Sequence, residues 1–114
     1  MAYDIVLADR IRGHLAGLPG LTEQKMFGGL CFLVNGHMVC GPVRDILIVR
    51  VGPAGYDDAL AQAGARPMTF TGRPMRGFVE VDAAALDDEA ALAAWVDRGV
   101  AHALSLPPKR GAEG

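Results

Sequence analysis

Leu30-Cys31-Phe32-Leu33-Val34-Asn35-Gly36-His37-Met38-Val39-Cys40-Gly41 sets two apolar runs around an Asn-Gly pair. A type I′ turn needs positive φ at both central residues, and Asn-Gly supplies that at little steric cost. The stretch therefore predicts a β-hairpin, Leu30 to Val34 against His37 to Gly41. A two-residue loop fixes the register. It sets Val34 opposite His37, Leu33 opposite Met38, Phe32 opposite Val39 and Cys31 opposite Cys40.

Working outward, Thr22 to Phe27 reads as a strand before the hairpin, separated from it by Gly28-Gly29. Asp45 to Val51 reads as another after it, rich in the β-branched Ile46, Ile48, Val49 and Val51. Upstream, Ala8, Ile11, Leu15 and Leu18 recur at helical steps, so Tyr3 to Leu18 predicts a helix ended by Pro19-Gly20. Downstream, a short helix runs from Pro53 to Ala63, then a short edge strand from Arg66 to Thr71 and a strand from Arg76 to Val81. Leu92, Trp95, Val96, Gly99, Val100 and Ala103 form the stripe of a final helix. Asp87 or Asp88 caps it, and Pro107-Pro108 stops it. The fold class is α+β, an antiparallel sheet of about five strands packed with helices in the order α-β-β-β-β-α-β-β-α.

Side chains alternate across a strand. Ile46 and Ile48 take one face; Leu47, Val49 and Val51 take the other. Leu30, Phe32 and Val34 oppose Cys31 and Leu33 in the same way. A sheet covered on one side alternates apolar with polar, and this one does not. Both faces need cover, from the three helices or from a second copy of the chain, and a homodimer is the expectation.

The 114 residues suit one domain, taken as 1–108 with a flexible tail at 109–114. Hydrophobic residues at 51% and charged residues at 21% give a globular balance. A net charge of -2 argues against a role on nucleic-acid backbones, so no direct nucleic-acid binding is expected. No apolar run is long enough to span a bilayer, and Met1-Ala2-Tyr3-Asp4 does not open a signal peptide. The expected location is cytoplasmic, with no membrane partner.

Chemistry-bearing residues are sparse. Cys31 and Cys40, opposite each other in the predicted register, are a candidate redox pair. The favoured reading is two buried thiols kept reduced. His37 is predicted on the face opposite Cys40, which argues against a nucleophilic dyad and against a zinc site. His14 and His102 stand alone on helices and read as solvent-facing. Ser105 is the only serine and lacks a nucleophile-elbow context. Adjacent carboxylates in Asp57-Asp58 and Asp87-Asp88-Glu89 do not face each other on a helix. No catalytic residue, cofactor or metal is therefore expected. Charge is segregated, however: Ala59 to Val79 holds Arg66, Arg73 and Arg76 and no acid, whereas Glu80 to Asp97 holds six acids and no base. Met68, Phe70, Met75 and Phe78 interleave the arginines, a composition found at protein interfaces. The alternative is a solvated loop whose arginines pair with the acidic last helix.

Lys25-Met26-Phe27-Gly28-Gly29-Leu30, Phe32-Leu33-Val34-Asn35-Gly36-His37-Met38, Val49-Arg50-Val51-Gly52 and Phe70-Thr71-Gly72-Arg73-Pro74-Met75-Arg76-Gly77 resemble, in that order, the N-terminal domain of the TfoX/Sxy family. Ala94-Trp95-Val96 and Ser105-Leu106-Pro107-Pro108-Lys109 extend the resemblance. It implies a bacterial α+β domain with an antiparallel sheet. Full-length members regulate natural competence with the cAMP receptor protein and carry a C-terminal helical domain, which this sequence does not include, so a short stand-alone domain is expected. The resulting expectation is a non-enzymatic regulatory module with a protein partner. Lys25, Arg50, Arg73 and Arg76 are its candidate interaction or anion-binding residues. The alternative is a sensor of a small anionic ligand that uses the same cations.

Overall fold

The computed structural model describes residues 3–26, 28–69 and 75–107. Arg73 and the predicted tail at 109–114 lie outside the described residues. The chain runs α1 (Ile5–Leu15), β1 (Leu21–Met26), β2 (Gly29–Val34), β3 (His37–Val43), β4 (Ile46–Arg50), α2 (Tyr56–Leu60), β5 (Ala65–Pro67) and β6 (Phe78–Asp82). A 3-10 turn (Ala83–Leu86) and α3 (Glu89–Leu104) follow. The predicted α+β class and element order hold. The sheet has six strands, in the order β1-β2-β3-β4-β6-β5, and every pairing is antiparallel.

The hairpin forms as its Asn-Gly pair requires, with φ of 54° at Asn35 and 84° at Gly36. Val34 faces His37 and Leu33 faces Met38, as predicted. Beyond them the ladder shifts by one residue, and Phe32 faces Cys40. Val39 is the extra residue of a β-bulge. The predicted pairing of Cys31 with Cys40 is thus wrong. The cause lies far along the chain: a side chain on Gly99 of α3 would run into the Val39 carbonyl. The bulge pushes that carbonyl towards the helix, and Gly99 leaves room for it.

The bulge also brings Val39 and Cys40 to one face of the sheet. Leu30, Phe32, Val34, Val39, Cys40, Leu47, Val49, Val79 and Val81 pack there against α1, α2, the 3-10 turn and α3. Cys31, Leu33, Met38, Val43, Ile46 and Ile48 form a second cluster on the opposite face. Neither helices nor a second copy are needed to close it. The chain's own Met68 joins that cluster, with Met75 and Phe78 packed beside it. Leu33 is only 8% exposed and Ile48 not at all. Of the two covers expected, helices or a second copy, this face uses neither within the chain: the Met68, Met75 and Phe78 side chains close it.

Local chemistry sets the helix ends. Asp4 Oδ1 accepts from Leu7 N–H at 3.1 Å to start α1, and Asp88 Oδ2 accepts from Ala91 N–H at 3.2 Å to start α3. Asp88 rather than Asp87 is the cap. α2 is one short turn because positive φ at Gly64 redirects the chain into β5. β5 ends at Pro67, which has no N–H to donate to a ladder. The 3-10 turn buries Leu86 beneath α1 and α3 and had no counterpart in the predicted elements.

Gly99→Ala should lower unfolding stability by about 1–3 kcal/mol, because the added methyl meets backbone rather than a movable side chain. Gly13→Ala, within α1 with open space around it, should raise stability by about 0.5–1 kcal/mol. Urea unfolding midpoints of the two variants against the parent check both signs.

Candidate functional site

The end of the sheet where β4 runs out and β6 begins is built on two glycines. Val51 N–H and Gly52 N–H both donate to the Gly77 carbonyl, at 2.8 and 3.0 Å. Gly52 has φ of 82° and Gly77 has φ of 97°, a region that disfavours other residues. A Cβ on Gly52 would collide with the imidazole of His102. The turn is therefore tight, and α3 lays His102 directly on it.

Around this crossing stand two arginine–aromatic pairs. Arg50 and Phe78 are cross-strand partners, and the Arg50 guanidinium carbon lies 5.6 Å from the Phe78 ring centre. The Arg76 guanidinium lies 5.3 Å from the Tyr56 ring centre and reaches Asp57 at 3.9 Å. Arg76 is exposed, and among the described residues no carboxylate pairs with Arg50. His102 is held below its ordinary pKa first by burial, then by the positive fields of Arg50 and His37. His37 closes the back of the cluster. Its Nε2 lies 2.6 Å from the Pro107 carbonyl, so Nε2 carries the proton and donates. Its Nδ1 is buried without a hydrogen-bond partner among the described residues.

Arg50 and Arg76 thus share one end of the sheet but not one face: Phe78, under Arg50, packs beside the second cluster, and Tyr56, under Arg76, belongs to the helix-side core, with His102 on the crossing between them. The structure does not bring Lys25 to them. Lys25 faces Leu30 near the start of β2, at the opposite end of the sheet from Arg50. Arg66 is also engaged elsewhere. It binds Glu80 at 3.1 Å and Asp82 at 2.5 Å, on the neighbouring strand rather than on the last helix. Glu80 is 8% exposed and owes its tolerance on that apolar face to Arg66 and to Thr69 N–H, 3.4 Å away. His102 is packed on Gly52, a correction to its solvent-facing assignment. No nearby residue in sequence announces that contact, which joins positions fifty apart.

The thiols lie on opposite faces of the sheet, Cys40 with the helices and Cys31 in the second cluster. Both are free. Burial pushes the Cys31 thiol up to about 11 and raises Cys40 further. Neither is poised as a thiolate at neutral pH. Elsewhere, a crevice of about 340 Å³ opens between the end of α1 and α3. Its titratable groups are His14 and Asp97, paired at 2.9 Å. Among the described residues no three His, Cys, Asp or Glu side chains are grouped to hold a metal ion, and no helix is long and apolar enough to cross a membrane.

The chain belongs to the TfoX N-terminal domain family, whose model matches residues 13–103. No curated protein and no solved structure matches it.

Two outcomes follow from the titratable groups. At pH 8 the native thiols should alkylate with iodoacetamide at least about tenfold more slowly than in denaturant, and mild peroxide should produce no Cys31–Cys40 bridge by mass. His102 has a folded pKa below its unfolded value, so its contribution is present above about pH 6.5 and is lost as pH falls through the lower folded value. The melting temperature should therefore drop from pH 7 to pH 5, and His102→Gln should flatten part of that drop.

Proposed function

From membership of the TfoX N-terminal domain family, we propose that this chain is a non-enzymatic, cytoplasmic regulatory module that binds a protein partner through the basic end of its sheet. The observation that carries this reading is the pair of arginines stacked on aromatic rings, Arg50 on Phe78 and Arg76 on Tyr56. An arginine fixed by an aromatic face loses little further freedom on binding and offers planar donors to a carboxylate or a carbonyl. Arginine and aromatic residues dominate the strongest contacts of protein interfaces. Met75 is half-buried beside them and Arg73 belongs to the same stretch of sequence. The partner surface that suits this end is acidic with an apolar centre.

Catalysis has no comparable support. The thiols are protonated and on opposite faces, and the Glu80 carboxylate is held by Arg66. Among the described residues, a nucleophile, a base and an oxyanion donor do not converge on one point.

One observation favours a second reading, a sensor of a small anion. Arg50 has no carboxylate partner among the described residues and stands near His102 and His37. Both readings use Arg50, and the size of the ligand separates them.

Immobilised parent and an Arg50→Ala/Arg76→Ala variant should differ in the proteins they retain, with a specific partner lost from the variant. The variant's melting temperature should stay within a few degrees of the parent, since each exposed cation–π contact is worth about 0.5–1 kcal/mol. Equal retention by both chains contradicts the reading. A thermal shift with millimolar phosphate or citrate that vanishes in Arg50→Ala would favour the small anion instead.

A further inference from the structure

We propose that β1 is the interface of a symmetric dimer, pairing antiparallel with β1 of a second copy so that Glu23 of each chain meets Lys25 of the other. This surface is separate from the basic end. The sheet has two edges, β1 and β5. β5 is blunted, with three residues ending in Pro67. β1 has six residues, Leu-Thr-Glu-Gln-Lys-Met, without a proline, and Thr22 to Lys25 are exposed.

Backbone parity then decides which groups are free. Asn35 N–H donates to the Gly20 carbonyl at 3.1 Å, so 20/35 is a hydrogen-bonded pair. Such pairs alternate along an antiparallel ladder. In the register Thr22↔Leu33, Gln24↔Cys31 and Met26↔Gly29, these even-numbered residues bond to β2. The N–H and C=O of Glu23 and Lys25 therefore point outward at the open edge. Leu21 N–H is occupied by the Leu18 carbonyl at 3.3 Å.

A second β1 can bond only by setting outward residues opposite outward residues. Centring the two-fold axis on Glu23 or on Lys25 places like charges directly opposite each other. Centring it on Gln24 pairs Glu23 with the second copy's Lys25 twice over, through four backbone hydrogen bonds and two opposite-charge contacts. Gln24 then faces itself at a non-hydrogen-bonded position. Charge and backbone parity agree on this one register.

The surroundings fit. Lys25 has no carboxylate partner among the described residues. Glu23 is anchored by a two-pronged contact with Arg12, at 2.7 and 2.8 Å, which holds its carboxyl below its ordinary pKa and keeps it charged. Arg12 also lies 5.9 Å from the Phe32 ring centre on β2, so it ties α1 to both β1 and β2. Ile5, Asp9 and Arg12 share one stripe of α1 at helical spacing. Arg12 on that stripe reaches Glu23 of β1, and Ile5 at the start of the helix is 48% exposed. α1 starts where Tyr3 bridges Arg44, at the Lys25 end of the sheet.

Sedimentation velocity up to about 100 μM tests the proposal, together with cysteine trapping. The parent should dimerise. Lys25→Glu, which leaves the Arg12–Glu23 contact intact, should weaken association at least tenfold with an unchanged melting temperature. Glu23→Lys should also weaken association, with a lower melting temperature because it breaks the Arg12 contact, and an equimolar mixture of the two variants should restore a 1:1 dimer, because their charges are complementary. Gln24→Cys should form a disulfide-linked dimer, since non-hydrogen-bonded pairs bring Cα atoms to about 4.5 Å, within bridging range. Thr22→Cys should not. A monomeric parent at the highest concentration, a dimer indifferent to Lys25→Glu, or equal trapping at positions 22 and 24 would each overturn it.

Discussion

The contact on which the rest of the structure depends is the seating of Gly99 against the Val39 carbonyl. A bulge costs a ladder bond unless something uses the displaced backbone. Here α3 uses it. With no side chain at position 99, the helix comes down on the strand, and Leu92, Trp95, Val96 and Ala103 reach the sheet from the same stripe. A larger residue would lift α3 and open the core along its length. The bulge in turn shifts β3 by one residue relative to β2, and that single step sorts the chemistry of the molecule.

With a regular ladder, Cys31 and Cys40 would stand opposite each other as a redox couple. With the bulge, Cys40 joins the helix-side core and Cys31 the opposite cluster, each protonated in an apolar setting. The two faces are then closed by different means, helices on one and the Met68–Phe78 stretch, through Met68, Met75 and Phe78, on the other. Polar groups are pushed to the margins, to the glycine crossing at Arg50, Gly52 and Gly77, and to the open strand β1. With both faces spent on its own core, the chain leaves its exposed cations and unpaired backbone groups at the ends and edges of the sheet.

Much of this was legible in the sequence because it is local. Asn35-Gly36 announces its turn, the Asp87-Asp88 pair a cap, and the β-branched run Ile46 to Val51 its strand. The bulge was not legible, because the residue that accommodates it lies sixty positions away on α3. The same holds for His102 on Gly52 and for the Met68 cover, whose partners are distant in sequence. Of the candidate cations, Arg50 and Arg76 do share one end of the sheet, whereas Lys25 belongs to the far edge. Sequence spacing speaks to neighbours along a strand; it is silent on which end of a sheet a distant residue will join.

The most direct test of this account is the cross-strand NOE pattern of the hairpin in solution. Bulged pairing predicts backbone contacts from Phe32 to Cys40 and from Leu33 to Met38, with Val39 unpaired and its carbonyl close to Gly99. A regular ladder, with Phe32 facing Val39 and Cys31 facing Cys40, would contradict it.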